Sequence, residues 1–554
     1  MTNKYLFVAA CIVIYTLLGY FQFPGHTYLQ SDTQIYVPIL EHYWDDSVLR
    51  GDLVAQYPHV SFTIYDEVTL WLRRTLGMDT EHALALQQLV FRALGILGVF
   101  LISTGLGLSY KMALLVSAIF SLGATVMGPS ILTFEYEPIP RGFAVPLVLL
   151  AIGLAGHGRC LGAGIAAAMA FLYQAPSGYT FWIVYFGLVL WPAKPIVMRR
   201  RILGLIPLLL AVILMLILSR HQPGVREPQD FVGRISPFLE KIQRIRAPYN
   251  WVSLWPRQMF WHYLFLAGVC FGAFFRIKRF INKDLQVFVL GMTALGLLSL
   301  PASYVLLEVL KWDIVPQFQP MRAVMFITVF CCTLAATSGI YAARNLRRLE
   351  GLAWFAVAFA IPIDPQVLRI LLPRLDDPLI RRRVLLMVAL STAAVIVVWA
   401  DERRKKWSSP AWAALVVIPF FLLPAWGKIV NYPKLWSPEL RSLAEWARTS
   451  TPKDAVFLFP DAGKQLYPGI FRATALRAVY TDWKTGGQVN FFPKLAEEWW
   501  RRWQLTMAQG FNSSKVDLYR SLRINYIVVQ GANRVAKLRP VYENHAYVVY
   551  RLTD

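Results

Sequence analysis

The amino-acid sequence predicts a polytopic α-helical membrane protein with about 13 transmembrane helices and a C-terminal extracytoplasmic α/β domain. Three observations support this fold class. Of the 554 residues, 56% are hydrophobic, and the mean hydropathy is +0.45. Apolar stretches of spanning length recur up to about residue 426, since about 20 apolar residues cross a bilayer. Beyond about residue 430, short helix and strand patterns replace them.

The net charge of +23 has a distribution that excludes nucleic acid as the partner and favours a lipid bilayer. Basic residues cluster in short connections between apolar stretches, and such clusters mark cytoplasmic loops that face anionic headgroups. This rule places the N-terminus in the cytoplasm. The main clusters lie in the ranges 194–201, 276–283, 344–348 and 403–406.

The first apolar segment, about residues 5–23, is predicted to be a retained helix that runs outward. The first outside loop then extends over about residues 24–84. Its polar part, QSDTQIYVPILEHYWDDSVLRGD, carries five carboxylates, and SFTIYDEVTLWLRRTLG (61–77) predicts a helix lying along the membrane interface. The five carboxylates are Asp32, Glu41, Asp45, Asp46 and Asp52.

The next spans are predicted near 85–106, from Lys111 onward, on both sides of His157–Arg159, and near 178–192 and 202–219. Later spans lie on both sides of the 276–283 cluster, after Arg322, twice within 351–399, and at 410–426. Two spans in 351–399 put Arg374 and Arg381–Arg383 outside, against the positive-inside trend. Three further outside stretches result: TFEYEPIPRG (133–142), an aromatic loop over 220–258, and KWDIVPQFQPMR (311–322).

Residues 1–429 form the predicted multispan domain and residues 430–554 the α/β domain. In the latter, SPELRSLAEWART has helical spacing, whereas AVFLFP, NYIVVQ and HAYVVYRL are typical of strands. The chain has no phosphate-binding P-loop and no common hydrolase signature, so the sequence gives no support to nucleotide hydrolysis. The five cysteines lie in or beside apolar segments and indicate packing rather than disulfides.

Asp32 is the first carboxylate after the first span, about nine residues beyond it. A carboxylate near the interface can act as a general base or bind a metal beside a lipid-borne substrate. The alternative is a solvated acidic loop. His42, His59 and His221 show no ligand spacing.

With these stretches in view, the chain resembles the GT-C superfamily of polyprenyl-phosphate-dependent glycosyltransferases, and in particular bacterial GT-C-like membrane proteins. The resemblance lies in the overall plan and in SDTQIYVPIL, EYEPIPRGFAVPLVLLAIGL and FQPMRAV. It implies an inverting enzyme of the bacterial inner membrane. The enzyme would move a sugar from a polyprenyl-phosphate donor to a lipid, glycan or protein acceptor on the outer face.

The resemblance also implies roles for particular residues. Asp32 matches the catalytic base, and Glu135 or Glu137 matches a second acidic site that holds a divalent metal such as Mg²⁺ or Mn²⁺ in some members. Arg141 and Arg322 are candidates for the lipid phosphate, because a guanidinium is always charged and bidentate. Arg141 could instead be an interfacial snorkelling residue, and Arg322 could pair with Asp313.

The stretch FRATALRAVYTDWKTG offers four acceptor-side candidates, which could equally form a polar rim of the α/β domain: Arg472, Arg477, Asp482 and Lys484.

The sequence departs from better-known members of the superfamily. Thr33 follows Asp32, so no acidic pair stands there, and Arg501 follows Trp499–Trp500 where oligosaccharyltransferases carry WWD. N-glycosylation of protein is therefore not expected. Two other functions stay open: a lipid or glycan transporter, and a catalytically silent scaffold in envelope assembly. No internal repeat is evident, and the polar residues gather in outside loops, which disfavours a transporter.

Overall fold

The computed structural model describes residues 2–57, 63–221, 223–225, 227, 232–364, 367, 376–403, 409–426, 435–536 and 538–553. Within these residues, 8 helices are long and apolar enough to cross a membrane, and four shorter apolar helices accompany them. A mixed β-sheet follows near the C-terminus. The structure thus confirms the predicted polytopic α-helical membrane protein with a C-terminal α/β region.

Up to residue 219, the helices are α1 (Thr2–Phe21), α2 (Thr33–Trp44), α3 (Leu53–Gln56), α4 (Tyr65–Leu76), α5 (Thr80–Gly105), α6 (Tyr110–Phe120), α7 (Pro140–Gly156), α8 (Cys160–Tyr173), α9 (Ala175–Leu190), α10 (Pro195–Leu203) and α11 (Ile206–Ser219). Up to residue 426, they are α12 (Pro237–Arg246), α13 (Arg257–Ile277), α14 (Lys283–Ser303), α15 (Val315–Phe318), α16 (Val324–Arg344), α17 (Arg348–Ile363), α18 (Pro378–Arg403), α19 (Ser409–Val417) and α20 (Leu423–Trp426).

Each predicted span corresponds to a helix or to a pair of consecutive helices in the described part of the chain. The described residues of 351–399 belong to two long helices, α17 and α18, and the side chain of Arg383 lies 4.0 Å from that of Asp364 where the two helices approach each other. Arg374 lies outside the described residues. The predicted interfacial helix is α4, with Leu72 buried and Trp71 exposed.

Ion pairs join the helix ends that carry the basic clusters. Lys111 and Arg344 each lie 3.7 Å from Asp401, and Arg201 lies 2.7 Å from Asp284. We call this the basic end of the bundle; Arg404–Lys406 lie outside the described residues. The opposite end is the site end, and α16, whose 21 residues rise about 32 Å, runs between the two.

Close contacts fasten α5 to α7 and to the loops at the site end. A Cβ atom on Gly98 of α5 would lie 2.5 Å from the backbone nitrogen of Leu150 in α7, so only glycine allows this approach. Nearer the N-terminus of α5, the buried Arg92 donates hydrogen bonds to the carbonyl oxygens of Gly25 and Glu135. The first loop and the 133–139 loop are therefore fastened to the same helix.

The C-terminal region contains α21 (Pro438–Ser450), α22 (Tyr467–Ala475), α23 (Pro493–Thr506) and α24 (Val516–Ser521). Its five-stranded sheet has the order β4-β3-β5-β7-β6, in which β3 is parallel to β4 and β5, and β7 is antiparallel to β5 and β6. The predicted helix and three predicted strands are confirmed as α21, β3, β5 and β7. The strands are β3 (Val456–Leu458), β4 (Ala478–Val479), β5 (Tyr526–Gln530), β6 (Pro540–Glu543) and β7 (Tyr547–Arg551), and a hairpin, β1 (Thr125–Val126) and β2 (Ile131–Leu132), precedes α7.

Candidate active site

A cavity of about 610 Å³ lies at the site end. Its walls come from the first outside loop, the β1–β2 hairpin with the loop that follows, the turn before α16, and the C-terminal region. The fold therefore brings together residues that are hundreds of positions apart. Six predicted site residues line it: Asp32, Glu135, Glu137, Arg141, Arg322 and Lys484.

Asp32 directly precedes α2 and faces two cations in this cavity. Lys484 Nζ lies 2.8 Å from Asp32 Oδ1, and Arg141 Nη2 lies 3.4 Å from Oδ2. Burial raises the pKa of Asp32, but the charges of Lys484 and Arg141 outweigh burial and hold that pKa well below its usual range. The carboxylate is therefore ionised, and it accepts a proton poorly while both cations stay in place.

The two candidate glutamates have different partners. Glu135 Oε1 accepts hydrogen bonds from Arg141 Nε at 2.5 Å and from the backbone N–H of Leu132 at 3.1 Å. Gly142, in the first turn of α7, makes room for this pair, since a Cβ atom there would lie 3.0 Å from the Glu135 Cβ. Glu135 thus fixes the guanidinium that faces Asp32.

Glu137 instead holds the backbone that carries Asp32. Its Oε1 accepts from the Ser31 N–H at 2.5 Å and the Thr33 hydroxyl at 2.8 Å, and its Oε2 accepts from the Asp32 N–H at 2.9 Å. Burial, and then the negative charge of Asp32, raise the pKa of Glu137. Glu137 is therefore a positioning group for the loop.

Arg322 lies in a 3₁₀ turn, Pro320–Ala323, at the start of α16. Its guanidinium carbon is 6.0 Å from the centroid of the Tyr249 ring, and its Nε is buried with no hydrogen-bond partner among the described residues. Unlike Arg141, it therefore keeps hydrogen-bonding capacity for a ligand.

Arg246, at the end of α12, is a cavity residue that the sequence analysis missed. Its Nε donates to the carbonyl oxygen of Trp483 at 2.8 Å, and burial lowers the pKa of its guanidinium. It belongs to the aromatic loop predicted over 220–258, which is also rich in arginine, and no local pattern distinguishes Arg246 from the other arginines there. Four glutamines were also missed: Gln174, Gln317, Gln319 and Gln488.

Three of the four acceptor-side candidates lie away from the cavity lining. Arg472 is 0% exposed and pairs with Asp52 at 2.6 Å and Asp482 at 2.8 Å. Arg477 donates to the backbone carbonyls of Arg448 and Thr451. These groups are occupied inside the protein and join the C-terminal region to itself and to the first loop, so of the four only Lys484 faces a possible ligand.

The charges of the cavity suit an anion better than a divalent cation. Among the lining residues, four cations (Arg141, Arg246, Arg322, Lys484) face three carboxylates (Asp32, Glu135, Glu137). Each carboxylate already accepts from a cation or from N–H groups, whereas Mg²⁺ and Mn²⁺ need free oxygen ligands. No group of three or more acidic, histidine or cysteine side chains in the described residues is arranged to hold a metal. Metal dependence stays a prediction from the resemblance.

Comparisons with known proteins give limited matches. A family model described as a domain of unknown function (DUF6798) matches residues 438–506, which include Arg472 and Lys484. The search of curated proteins found no match.

Solved structures similar to this chain include ArnT from Cupriavidus metallidurans in the apo state (12% identity, 99% of this chain and 97% of that chain, TM-score 0.49). Two others are the archaeal oligosaccharyltransferase AglB from Archaeoglobus fulgidus (14%, 95% and 70%, 0.43) and the arabinofuranosyltransferase AftD from Mycobacteria (15%, 99% and 40%, 0.41).

Proposed function

We propose that this chain is a membrane glycosyltransferase that moves a sugar from a polyprenyl-phosphate donor to an acceptor on the outer face of a bacterial inner membrane. One observation carries the proposal: a cavity beside apolar helices holds an ionised carboxylate, Asp32, among four cations from separate parts of the chain. A surplus of positive charge suits a phosphate ester, and the neighbouring apolar helices suit its hydrocarbon tail.

The groups on the cavity wall match the needs of an inverting transfer. The acceptor hydroxyl gives its proton to Asp32 while its oxygen forms the bond to the anomeric carbon. The bond from that carbon to the phosphate oxygen breaks, and the phosphate leaves with the electron pair as polyprenyl phosphate. Arg322, with its free hydrogen-bonding capacity, and Lys484 stabilise the charge that develops on the leaving group.

Because Asp32 is held in ion pairs, binding of the donor also changes how well Asp32 accepts a proton. Asp32 is a weak base as long as Lys484 and Arg141 neutralise it. A donor phosphate offers both cations another anion within the same cavity, and sharing the cations raises the pKa of Asp32. Proton transfer is then favoured only when the donor is bound, which limits loss of the sugar to side reactions.

The test is sugar transfer by the purified protein in nanodiscs. Wild type should consume a radiolabelled polyprenyl-phosphate sugar in the presence of a bacterial envelope lipid extract and release polyprenyl phosphate. Asp32→Asn should lower the rate by about 100- to 10,000-fold, because losing a positioned base costs that much. Parallel reactions with Mg²⁺ and with a chelator measure metal dependence.

Asp46→Asn is the matched control, since Asp46 lies in the same loop with an 88% exposed side chain whose ion-pair partner is Arg50. It should keep near wild-type turnover. Movement of intact donor across the membrane without bond cleavage would identify a transporter instead. Binding without turnover in wild type would favour a scaffold, and turnover close to wild type in Asp32→Asn would move the active site elsewhere.

A further inference from the structure

Gln319 is a buried cavity residue with an unused hydrogen-bonding group. It is 3% exposed, it lines the cavity, and its side-chain oxygen has no hydrogen-bond partner within the part of the chain that the structure describes. A buried amide oxygen without a partner is costly, so natural proteins rarely keep one without a ligand or water to satisfy it. The missing partner must be a hydrogen-bond donor.

The backbone at Gln319 is also unusual. Its φ of 47° and ψ of 58° lie in the left-handed region, which favours glycine or asparagine over glutamine. Main-chain hydrogen bonds fix the residue on both sides: its N–H donates to the Val315 carbonyl at 2.8 Å, and its carbonyl accepts from the Arg322 N–H at 3.0 Å. This strained, fixed backbone holds the side chain at one place on the cavity wall.

Gln319 and Arg322 belong to the same tight turn. Gln319 is the N-cap residue of the 3₁₀ helix Pro320–Ala323, which contains Arg322, and both residues line the cavity. Arg322 has free hydrogen-bonding capacity for a phosphate, as described above. A group covalently attached to a phosphate at Arg322 would therefore share the cavity with the Gln319 amide.

Three further glutamine side chains line the same cavity as Gln319: Gln174, Gln317 and Gln488. Amide side chains both donate and accept hydrogen bonds without carrying charge, which matches the hydroxyl groups of a sugar. The charged groups of the cavity, by contrast, surround Asp32 and the expected phosphate position.

We propose that Gln319 recognises the transferred sugar by accepting a hydrogen bond from one of its hydroxyl groups, while Arg322 in the same turn binds the phosphate. This inference rests on the proposed function and deepens it, because it makes the donor a hydroxyl-bearing sugar phosphate that is selected by an uncharged amide. A site built to bind a hydroxyl rejects an analogue without it, since the amide would stay buried and unpaired.

The test compares lipid probes with and without a sugar. Dissociation constants are measured by thermal stabilisation of the protein in nanodiscs. The probes are a short-chain polyprenyl phosphate, the same lipid carrying glucose, mannose, galactose or arabinose, and the monodeoxy forms of the sugar bound best. Wild type should bind that sugar-bearing lipid more tightly than the sugar-free lipid, and one deoxy form should lose the gain.

Gln319→Ala should weaken binding of the sugar-bearing lipid about tenfold and leave binding of the sugar-free lipid within twofold of wild type. The variant should also bind that deoxy form as tightly as the complete sugar-bearing lipid. Gln319→Gly removes the same side chain but relaxes the backbone, and it should behave like Gln319→Ala. Arg322→Gln should instead weaken the binding of both the sugar-bearing and the sugar-free lipid. The thermal midpoint of each unliganded variant shows whether it is folded.

Three results would overturn the inference: equal binding of sugar-bearing and sugar-free lipid by wild type, equal weakening of both by Gln319→Ala, or weakening by Gln319→Ala but not by Gln319→Gly. In each of these cases phosphate binding persists, so the proposed function survives. If wild type binds neither lipid, the proposed function and this inference fail together.

Discussion

At the residue scale, the five carboxylates of the first outside loop show how the surroundings decide a side chain's role. Asp32 alone of the five lines the cavity described here, where Lys484 lies 2.8 Å away. Glu41 pairs with Arg73, Asp45 with Lys453, Asp46 with Arg50 and Asp52 with Arg472. Only Asp32 combines ionisation, access to a cavity and nearby cations.

The contact between Lys484 and Asp32 predicts how the pH profile of transfer changes when Lys484 is replaced. Its positive charge favours the ionised form of Asp32 and so lowers the pKa of that carboxyl. Lys484→Met removes the charge, which raises the pKa of Asp32 and makes the carboxylate protonate at higher pH. Because transfer needs the carboxylate, the acidic limb of kcat/KM should move to higher pH. Profiles from pH 4 to 9 measure the shift.

Lys453→Met is the matched control for this prediction. Lys453 also belongs to the C-terminal region and pairs with a first-loop carboxylate, Asp45, at 3.3 Å, but it lies on the surface away from the cavity. Its profile should match wild type. An unchanged acidic limb in Lys484→Met would show that Lys484 does not control the ionisation of Asp32.

At the scale of elements, the C-terminal region packs directly against the first outside loop. A Cβ atom on Gly469 would lie 2.2 Å from the side chain of Gln34, and one on Gly487 would lie 2.2 Å from Ile35. Both contacts press the C-terminal region onto the first turn of α2, which Asp32 precedes. The 3₁₀ helix Lys484–Gln488 therefore forms part of the cavity wall.

The buried ion pairs of Arg472 with Asp52 and Asp482 join the C-terminal region to the first outside loop. Arg472→Met would leave Asp52 and Asp482 buried without their shared cation, and removing one partner of a buried pair costs about 3–5 kcal/mol. We expect a clearly lower midpoint of thermal unfolding in nanodiscs, together with weaker donor binding because the wall carrying Lys484 loosens.

Arg50→Gln is the comparison for that variant, because Arg50 pairs with Asp46 at the exposed surface, where ion pairs contribute little. Its midpoint should stay close to wild type. If Arg472→Met unfolds at the wild-type midpoint, the cluster does not hold the two elements together.

At the scale of the whole molecule, the two ends of the helix bundle differ in chemistry. The basic end contains the arginine-rich and lysine-rich connections that the positive-inside rule assigns to the cytoplasm, and ion pairs join them. The opposite end carries the cavity and the C-terminal region. This arrangement favours the orientation that we propose, with the C-terminal region outside the cytoplasm.

Cysteine labelling checks this orientation. The five native cysteines are buried, and both Ser450 and Ser513 are exposed in the C-terminal region. In a cysteine-free background, Ser450→Cys and Ser513→Cys should react with an impermeant maleimide in intact spheroplasts. Arg159→Cys, in an exposed connection at the basic end, should react only after lysis. The reverse pattern would invert the topology.

The sequence by itself determined the fold class, the order of the spans and three of the five strands of the C-terminal sheet. These features depend on apolar length and on periodicity, which are local properties that each stretch carries in its own residues. The short strands β4 and β6 escaped prediction, because two to four residues carry little periodic signal. Position after the first span singled out Asp32, and resemblance to known glycosyltransferases, not periodicity, gave roles to Asp32, Glu135, Glu137, Arg141 and Arg322.

Only the tertiary structure decided how these residues act together. Lys484 and Asp32 are 452 positions apart, and nothing in either stretch indicates that they meet. Nothing in the local sequence indicates that Arg246 faces the cavity. Nor does it indicate that Arg472, an acceptor-side candidate, forms a buried ion pair with Asp52. Such contacts depend on how separately formed elements pack, because packing fixes the distance between charges and the burial of each side chain. The partnerless amide of Gln319 is likewise a property of its surroundings and not of its sequence.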